Sequence, residues 1–206
     1  MENPNKYSVR NAQIADTEII SHTLNDAFSD DPVFNWFMRN DAKRTLHQSR
    51  FFQKLVELLG FEEGEISIID EGKGVAFWIP YPGEMTPPLA KEIASLPYLI
   101  GATGFSRFHR LVKLRGEMEK YKEKSPHAYL WFLGVRSDCQ GKGMGGNLLD
   151  ACLKAVDEKG IIAALETATP RNLPLYQSRG FEIIHEYRPA KSAPSIWTMT
   201  RKPKQN

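Results

Sequence analysis

Gln140-Gly141-Lys142-Gly143-Met144-Gly145-Gly146 puts four glycines into six consecutive positions after a glutamine. Before it runs the apolar stretch Tyr129-Leu130-Trp131-Phe132-Leu133-Gly134-Val135, and after it the amphipathic stretch Leu148-Leu149-Asp150-Ala151-Cys152-Leu153-Lys154-Ala155-Val156. This order predicts strand, glycine turn, helix. Glycine lets successive main-chain N–H groups point one way at the start of a helix, where the helix dipole adds partial positive charge. Such a place binds phosphate.

Composition narrows the partner. A chain of 206 residues is long enough to bury a full core without staples, so a single domain over 1–206 is expected. Its two cysteines, Cys139 and Cys152, lie too close in sequence to suggest a structural bridge, which points to a reducing, cytoplasmic setting. The segment 1–6 is polar, and no run approaches the roughly 18 apolar residues of a membrane span. With 27 basic and 25 acidic residues interspersed, a net charge of +2 offers no field for nucleic acid or lipid. No metal-ligand cluster stands out. The expected partner is a small molecule, with the chain a monomer or homodimer.

Around the glycine loop, periodicity predicts the other elements. Tyr7-Ser8-Val9-Arg10 reads as a first strand, and Ile19, Ile20, Leu24, Ala27 and Phe28 mark one face of a helix capped by Asp16. Asp30-Asp31-Pro32 breaks that pattern, and 42–59 reads as a second helix stopping at Gly60. Strands at 65–69 and 75–79 flank the turn-rich 70–74, as in an antiparallel hairpin. Between 83 and 126, prolines at 87, 88 and 97 and glycines at 101 and 104 separate helical pieces at 89–96 and 107–122, read as an insertion over one sheet face. Beyond the loop follow a strand at 161–165, a short helix at 173–179 and strands at 181–186 and 196–200.

Gly141, Gly143 and Gly146 also satisfy G-x-G-x-x-G, with Glu166 twenty residues later. A dinucleotide fold normally opens on that fingerprint, whereas only about sixty residues remain here, too few for both of its halves. A Walker loop is excluded because Gly-Lys-Ser/Thr is absent. The run 140–145 instead fits the Q/R-x-x-G-x-G/A motif of the GCN5-related N-acetyltransferases (GNAT), and Asn172-Leu173-Pro174-Leu175-Tyr176-Gln177-Ser178-Arg179-Gly180-Phe181 resembles that family's second signature. The segments 165–172 and 197–203 are similar to its puromycin N-acetyltransferase-like branch. The resemblance is clearest from 127 to 203 and leaves 82–126 unmatched.

The resemblance implies an α+β GNAT fold, with a mixed, mainly antiparallel central sheet of six to seven strands flanked by helices, plus a helical insertion at 83–126. It implies acetyl-coenzyme A as cosubstrate, its pyrophosphate on the main chain of Gln140, Gly141, Lys142, Gly143, Met144, Gly145 and Gly146. It implies further that the strand at 128–136 splays from that at 161–166. Leu133 and Val135 then line up the pantetheine arm, the main-chain N–H of one of them, Val135 foremost, meets the thioester oxygen, and Asn172 bonds the arm. Tyr176 is cast as the acid for the departing thiolate, a phenol near pKa ~10 facing a thiolate near ~8.5; core packing is the plainer reading of the same tyrosine.

The remaining roles are read from the residues. Glu166 follows an apolar strand, so its carboxylate emerges where partial burial raises its pKa, as a general base requires; capping 167–172 or pairing with Arg171 is the competing reading. His109 and His127 are alternative bases. Asp30, Asp31, Phe34 and Trp36, with Trp78 and Tyr81 ending a strand opposite, suit a cationic amine on an apolar or aryl body, although such aromatics also build cores. The function expected is acetyl transfer to the primary amine of a small molecule by direct attack. A protein or peptide acceptor and a non-catalytic acyl-coenzyme A sensor are the alternatives.

Overall fold

The computed structural model describes residues 7–82 and 89–204. The polar stretch 1–6, the start of the expected insertion at 83 and the prolines at 87 and 88 lie outside them. The chain opens with β1 (Val9–Asn11), α1 (Thr17–Ala27), α2 (Pro32–Phe37) and α3 (Arg44–Leu55), then β2 (Glu65–Ile69) and β3 (Gly74–Ile79). Two helices follow, α4 (Leu89–Thr103) and α5 (Phe108–Tyr121), and after them β4 (His127–Val135), α6 (Met144–Glu158), β5 (Ile162–Thr167), α7 (Leu173–Gln177), β6 (Glu182–Tyr187) and β7 (Ile196–Arg201).

The strands form one mixed sheet in the order β1-β2-β3-β4-β5-β7-β6. Every pairing is antiparallel except that of β4 with β5. β3 is buried along its whole length, as its apolar sequence and central place require. The β2–β3 hairpin turns through positive φ at Asp70, Glu71 and Gly72, and a Cβ at Gly72 would meet Ile19 at 2.5 Å. Helices cover both faces. On one, Phe28 just after α1, with Phe34 of α2 and Phe52 of α3, closes around Phe132 of β4, Phe34 stacked on Phe52 at 5.4 Å and Phe28 edge-on to Phe132 at 5.4 Å. On the other, Leu148, Leu149 and Leu153 of α6 pack with Leu130, Leu165 and Met199.

Four local expectations change. Asp16 does not cap α1 with its side chain; it accepts from Gln13 N–H at 2.7 Å and pairs with Arg10. Asp31-Pro32 starts a helix as well as ending one, because Asp31 accepts from Val33 and Phe34 N–H while Pro32 fills the first turn, where no N–H is needed. The second helix turns into a π-helical turn at Val56–Gly60. α4 runs past Pro97 to Thr103, held by its packing on α3. Cys139 and Cys152 are both free thiols, and no helix among the described residues is long and apolar enough to cross a membrane.

Candidate active site where two strands part

β4 and β5 pair only from His127↔Ile162 to Leu130↔Leu165. Beyond Leu130 the register of β4 against β3 shifts between Phe77 and Trp78, so that Trp131 is the extra residue, and such a bulge bends its strand. β4 continues to Val135 without β5 beside it. Arg136 N–H bonds Lys73 O on the β3 side. Main-chain groups alternate sides along a strand, so Leu133 and Val135 turn theirs to the side that β5 has left.

The glycine loop closes the far end of this gap. Gly141 and Gly143 have φ of 74° and 81°, left-handed values that a side chain would strain, and Gly143 is the N-cap of α6. The first helical N–H groups, from Met144 onward, have no partner within the helix and point out of its N-terminus. Gly145 sits against Val135, its Cβ position 3.5 Å from Val135 Cγ2. Gln140 reaches back instead of outward, its Nε2 donating to Val135 O at 3.1 Å. The Lys142 side chain likewise folds onto Asp138 O at 2.8 Å, while Lys142 O accepts from the Tyr7 hydroxyl at 2.6 Å. Loop and strand end are thereby one rigid unit, with main-chain N–H groups as its outward donors.

Opposite the loop, a cavity of about 290 Å³ opens between the parted strands and the helices. Leu133, Glu166, Asn172 and Tyr176 line it, together with Asp31 and Phe34. Glu166 lies at the end of β5 and neither caps the following turn nor pairs with Arg171. Its Oε1 accepts from the Tyr187 hydroxyl at 2.8 Å and from Thr198 Oγ1 at 3.2 Å, and Oε2 faces the Tyr129 hydroxyl at 3.4 Å. Burial outweighs these hydroxyls, and its carboxyl is pushed up to about 7. Burial also raises the Asp31 carboxyl, against the two N–H groups it caps. Tyr176 is buried on α7, its ring edge-on to Phe181 at 6.0 Å. Burial, helped by the Asp31 carboxylate, moves its phenol well above the usual tyrosine range, which widens the gap from a thiolate beyond the match expected from the sequence.

Several expected acceptor residues fall elsewhere. Trp78 faces α6 on the opposite side of the sheet, because alternation along β3 gives the cavity side to Phe77. Asp30 is exposed at the end of α1, and Tyr81 is 45% exposed beyond β3. Trp36 packs in the core, its Nε1 donating to Ser192 Oγ at 3.2 Å. His127 holds Ser125 O, and neither it nor His109 lines the cavity. The wall that sequence reasoning missed comes from α3, α4 and α5, with Leu55, Tyr98, Leu99, Leu111, Leu114 and Met118. Gly146 has a packing role as well, since a Cβ there would lie 2.4 Å from Arg179 Nη2.

A model of the acetyltransferase (GNAT) family matches residues 83–181. An uncharacterized N-acetyltransferase of Schizosaccharomyces pombe is 24% identical over 188 residues, 84% of this chain and 74% of that protein. Among solved structures, one described as histone acetyltransferase HPA2 and related acetyltransferase, from Corynebacterium glutamicum, superposes with a TM-score of 0.73 at 22% identity, covering 97% of this chain and 98% of that one. Arylalkylamine N-acetyltransferase 2 from Aedes aegypti does so with a TM-score of 0.62 at 14% identity, over 97% and 100% of the two chains. Glycine loop, parted strands and these likenesses agree: residues 83–181, which hold the loop and the parting strands, match the acetyltransferase (GNAT) family, acyltransferases whose cosubstrate is acetyl-coenzyme A.

Proposed function

We propose that this enzyme moves the acetyl group of acetyl-coenzyme A to the primary amine of a small molecule with an apolar or aryl body. The observation that carries this reading is the single cavity holding both Glu166 and Tyr176, walled mainly by apolar side chains and closed by α4 and α5. In it the chain acts as one acetyltransferase domain over 1–206, with 83–126 a helical insertion that completes the acceptor pocket.

The cosubstrate supplies an activated acetyl thioester. Main-chain N–H groups at 141–146 hold its pyrophosphate at the N-terminus of α6, where glycine allows close approach. Leu133 and Val135 align its arm through main-chain groups left open by the parting of β4 from β5, and Asn172 adds a side-chain bond. Glu166 takes a proton from the acceptor ammonium, a task fitted to a carboxyl near neutrality. The freed amine attacks the thioester carbon, and Val135 N–H donates to the oxygen that gains charge. As the C–S bond breaks with its electron pair on sulfur, Tyr176 gives its proton to the thiolate, and the second proton, which the attacking nitrogen sheds once its bond to carbon has made it cationic, returns through solvent to the phenolate. Asp31 and Phe34 border the acceptor.

A thiol-release assay with acetyl-coenzyme A across primary amines tests the reading. Turnover is expected with arylalkyl and alkyl amines, and little with peptides or with polyhydroxylated amines of the same basicity. Peptide turnover that exceeds every small amine would overturn the acceptor class. Cosubstrate binding with no turnover on any amine would overturn catalysis in favour of a sensor.

A further inference from the structure

The two oxygens of Glu166 have unequal surroundings. Oε1 accepts two hydroxyl hydrogen bonds, at 2.8 Å from Tyr187 and 3.2 Å from Thr198, while Oε2 accepts one longer bond, from the Tyr129 hydroxyl at 3.4 Å. Glu166 and Tyr129 line the cavity; Tyr187 and Thr198 do not. Oε1 is therefore held from behind the wall. The sheet register dictates this, since Thr198 stands directly across from Glu166 on β7 and Tyr187 reaches over from β6. Tyr187 is itself fixed, its ring stacked on Tyr121 of α5 with centroids 4.5 Å apart and planes at 16°.

We propose that Tyr187 and Thr198 are positioning residues that pin Oε1 of Glu166 and leave Oε2 turned to the acceptor nitrogen, with α5 holding Tyr187 in place through Tyr121. This rests on the reading of Glu166 as the base. Other groups around this arrangement are Tyr129 on β4, Glu117 on α5 behind Tyr187, and Tyr176 and Asp31 across the cavity. A hydroxyl donating to a carboxylate favours its charged form, so loss of either donor raises the proton affinity of Glu166.

The test titrates Glu166 directly, by carbon NMR of the full chain labelled at the glutamate carboxyl carbon, its resonance assigned by its loss in Glu166→Gln. Tyr187→Phe keeps the stacked ring and Thr198→Val keeps the shape, and each is expected to raise the midpoint by about one pH unit, the worth of one such bond. The acidic limb of kcat/KM moves by the same amount, and the KM for acetyl-coenzyme A at high pH stays put. A midpoint unmoved in both variants overturns the positioning role, whatever the activity. A midpoint that moves while the acidic limb stays overturns Glu166 as the base, and with it the task given to Oε2.

Discussion

A Cβ added to Gly146 would lie 2.4 Å from Nη2 of Arg179, whose guanidinium is held by Asp150 through bonds of 2.8 and 2.9 Å. This glycine of the loop therefore makes room for a side chain from another element, a demand separate from phosphate approach. Gly146→Ala pushes Arg179 off Asp150. That pair is half in solvent and worth about 0.5–1 kcal/mol, which the better helix propensity of alanine largely offsets, so the melting temperature should move by no more than a few degrees. Gly145→Ala meets only an ordinary contact with Val135. It should leave stability alone and raise the KM for acetyl-coenzyme A by about tenfold, because in the proposed cradle its amide meets the pyrophosphate. Gly143→Ala, at φ 81°, should cost about 1–2 kcal/mol by strain alone. Calorimetry and steady-state kinetics on the three variants separate the roles, and an unchanged KM in Gly145→Ala counts against the cradle.

Glu166 ties stability to pH. Its folded pKa is raised from 4.5 to about 7, so its contribution is fully present below the unfolded value and is lost as pH rises through 7. At high pH the protein keeps a buried carboxylate that unfolding would release to water. Each pKa unit is worth roughly 1.4 kcal/mol, which sets about 3 kcal/mol as a ceiling, and partial solvent access brings the expectation to about half of that. Glu166→Gln should accordingly be more stable than the parent at pH 8 and indistinguishable from it at pH 4. In urea titrations at the two pH values, a variant less stable at pH 8 would contradict this. The same variant should lose the acidic limb of kcat/KM.

How much of this was legible in the sequence depended on whether a feature is local. The glycine loop, the β2–β3 hairpin and α6 follow from short-range periodicity and turn chemistry, and all three stand where 65–79 and 140–156 put them, α6 running on to Glu158. The Asp31-Pro32 cap was equally local, but its meaning as a helix start was hidden behind its reading as a helix stop. Trp78 failed for a different reason. Every residue of β3 is buried, so no polar position marks which of its faces looks at the cavity. The cavity wall was illegible because Leu55, Leu99, Leu111 and Leu114 have the composition of a core and meet only through the packing of three helices. The hydroxyls around Glu166 lie 21, 32 and 37 residues from it in sequence, brought together by strand order alone.

Tyr176→Phe tests the proposed transfer of its proton to the leaving thiolate. The ring is buried against Phe181 and stays so without its hydroxyl, so stability should hold within about 1 kcal/mol. The kcat should fall by about 10² while the KM values change little, the pattern of an interaction made only in the transition state. Burial pushes the phenol up, which keeps Tyr176 protonated well beyond the ordinary tyrosine value. The parent should therefore show no basic limb from this residue up to at least pH 10. A basic limb near pH 9 that vanishes in Tyr176→Phe would show an acid much less buried than the structure has it.

The assignment of the cavity to the acceptor makes a size-dependent prediction. Its walls between α3, α4 and α5 are mostly apolar, and each methylene transferred from water into such a space contributes about 0.8 kcal/mol, close to a fourfold gain in binding. Along a series of straight-chain primary amines, kcat/KM should climb by about that factor per carbon and then level off as the chain fills the roughly 290 Å³ available. Replacing Leu99 or Leu114 by Trp takes up part of this space from α4 or α5, and should bring the plateau in by two or three carbons with ethylamine unaffected. Ethylamine marks the chemistry and the longer amines mark the wall, so the two measurements together separate a changed pocket from a damaged enzyme. A series flat in chain length would mean that the acceptor does not enter between these helices.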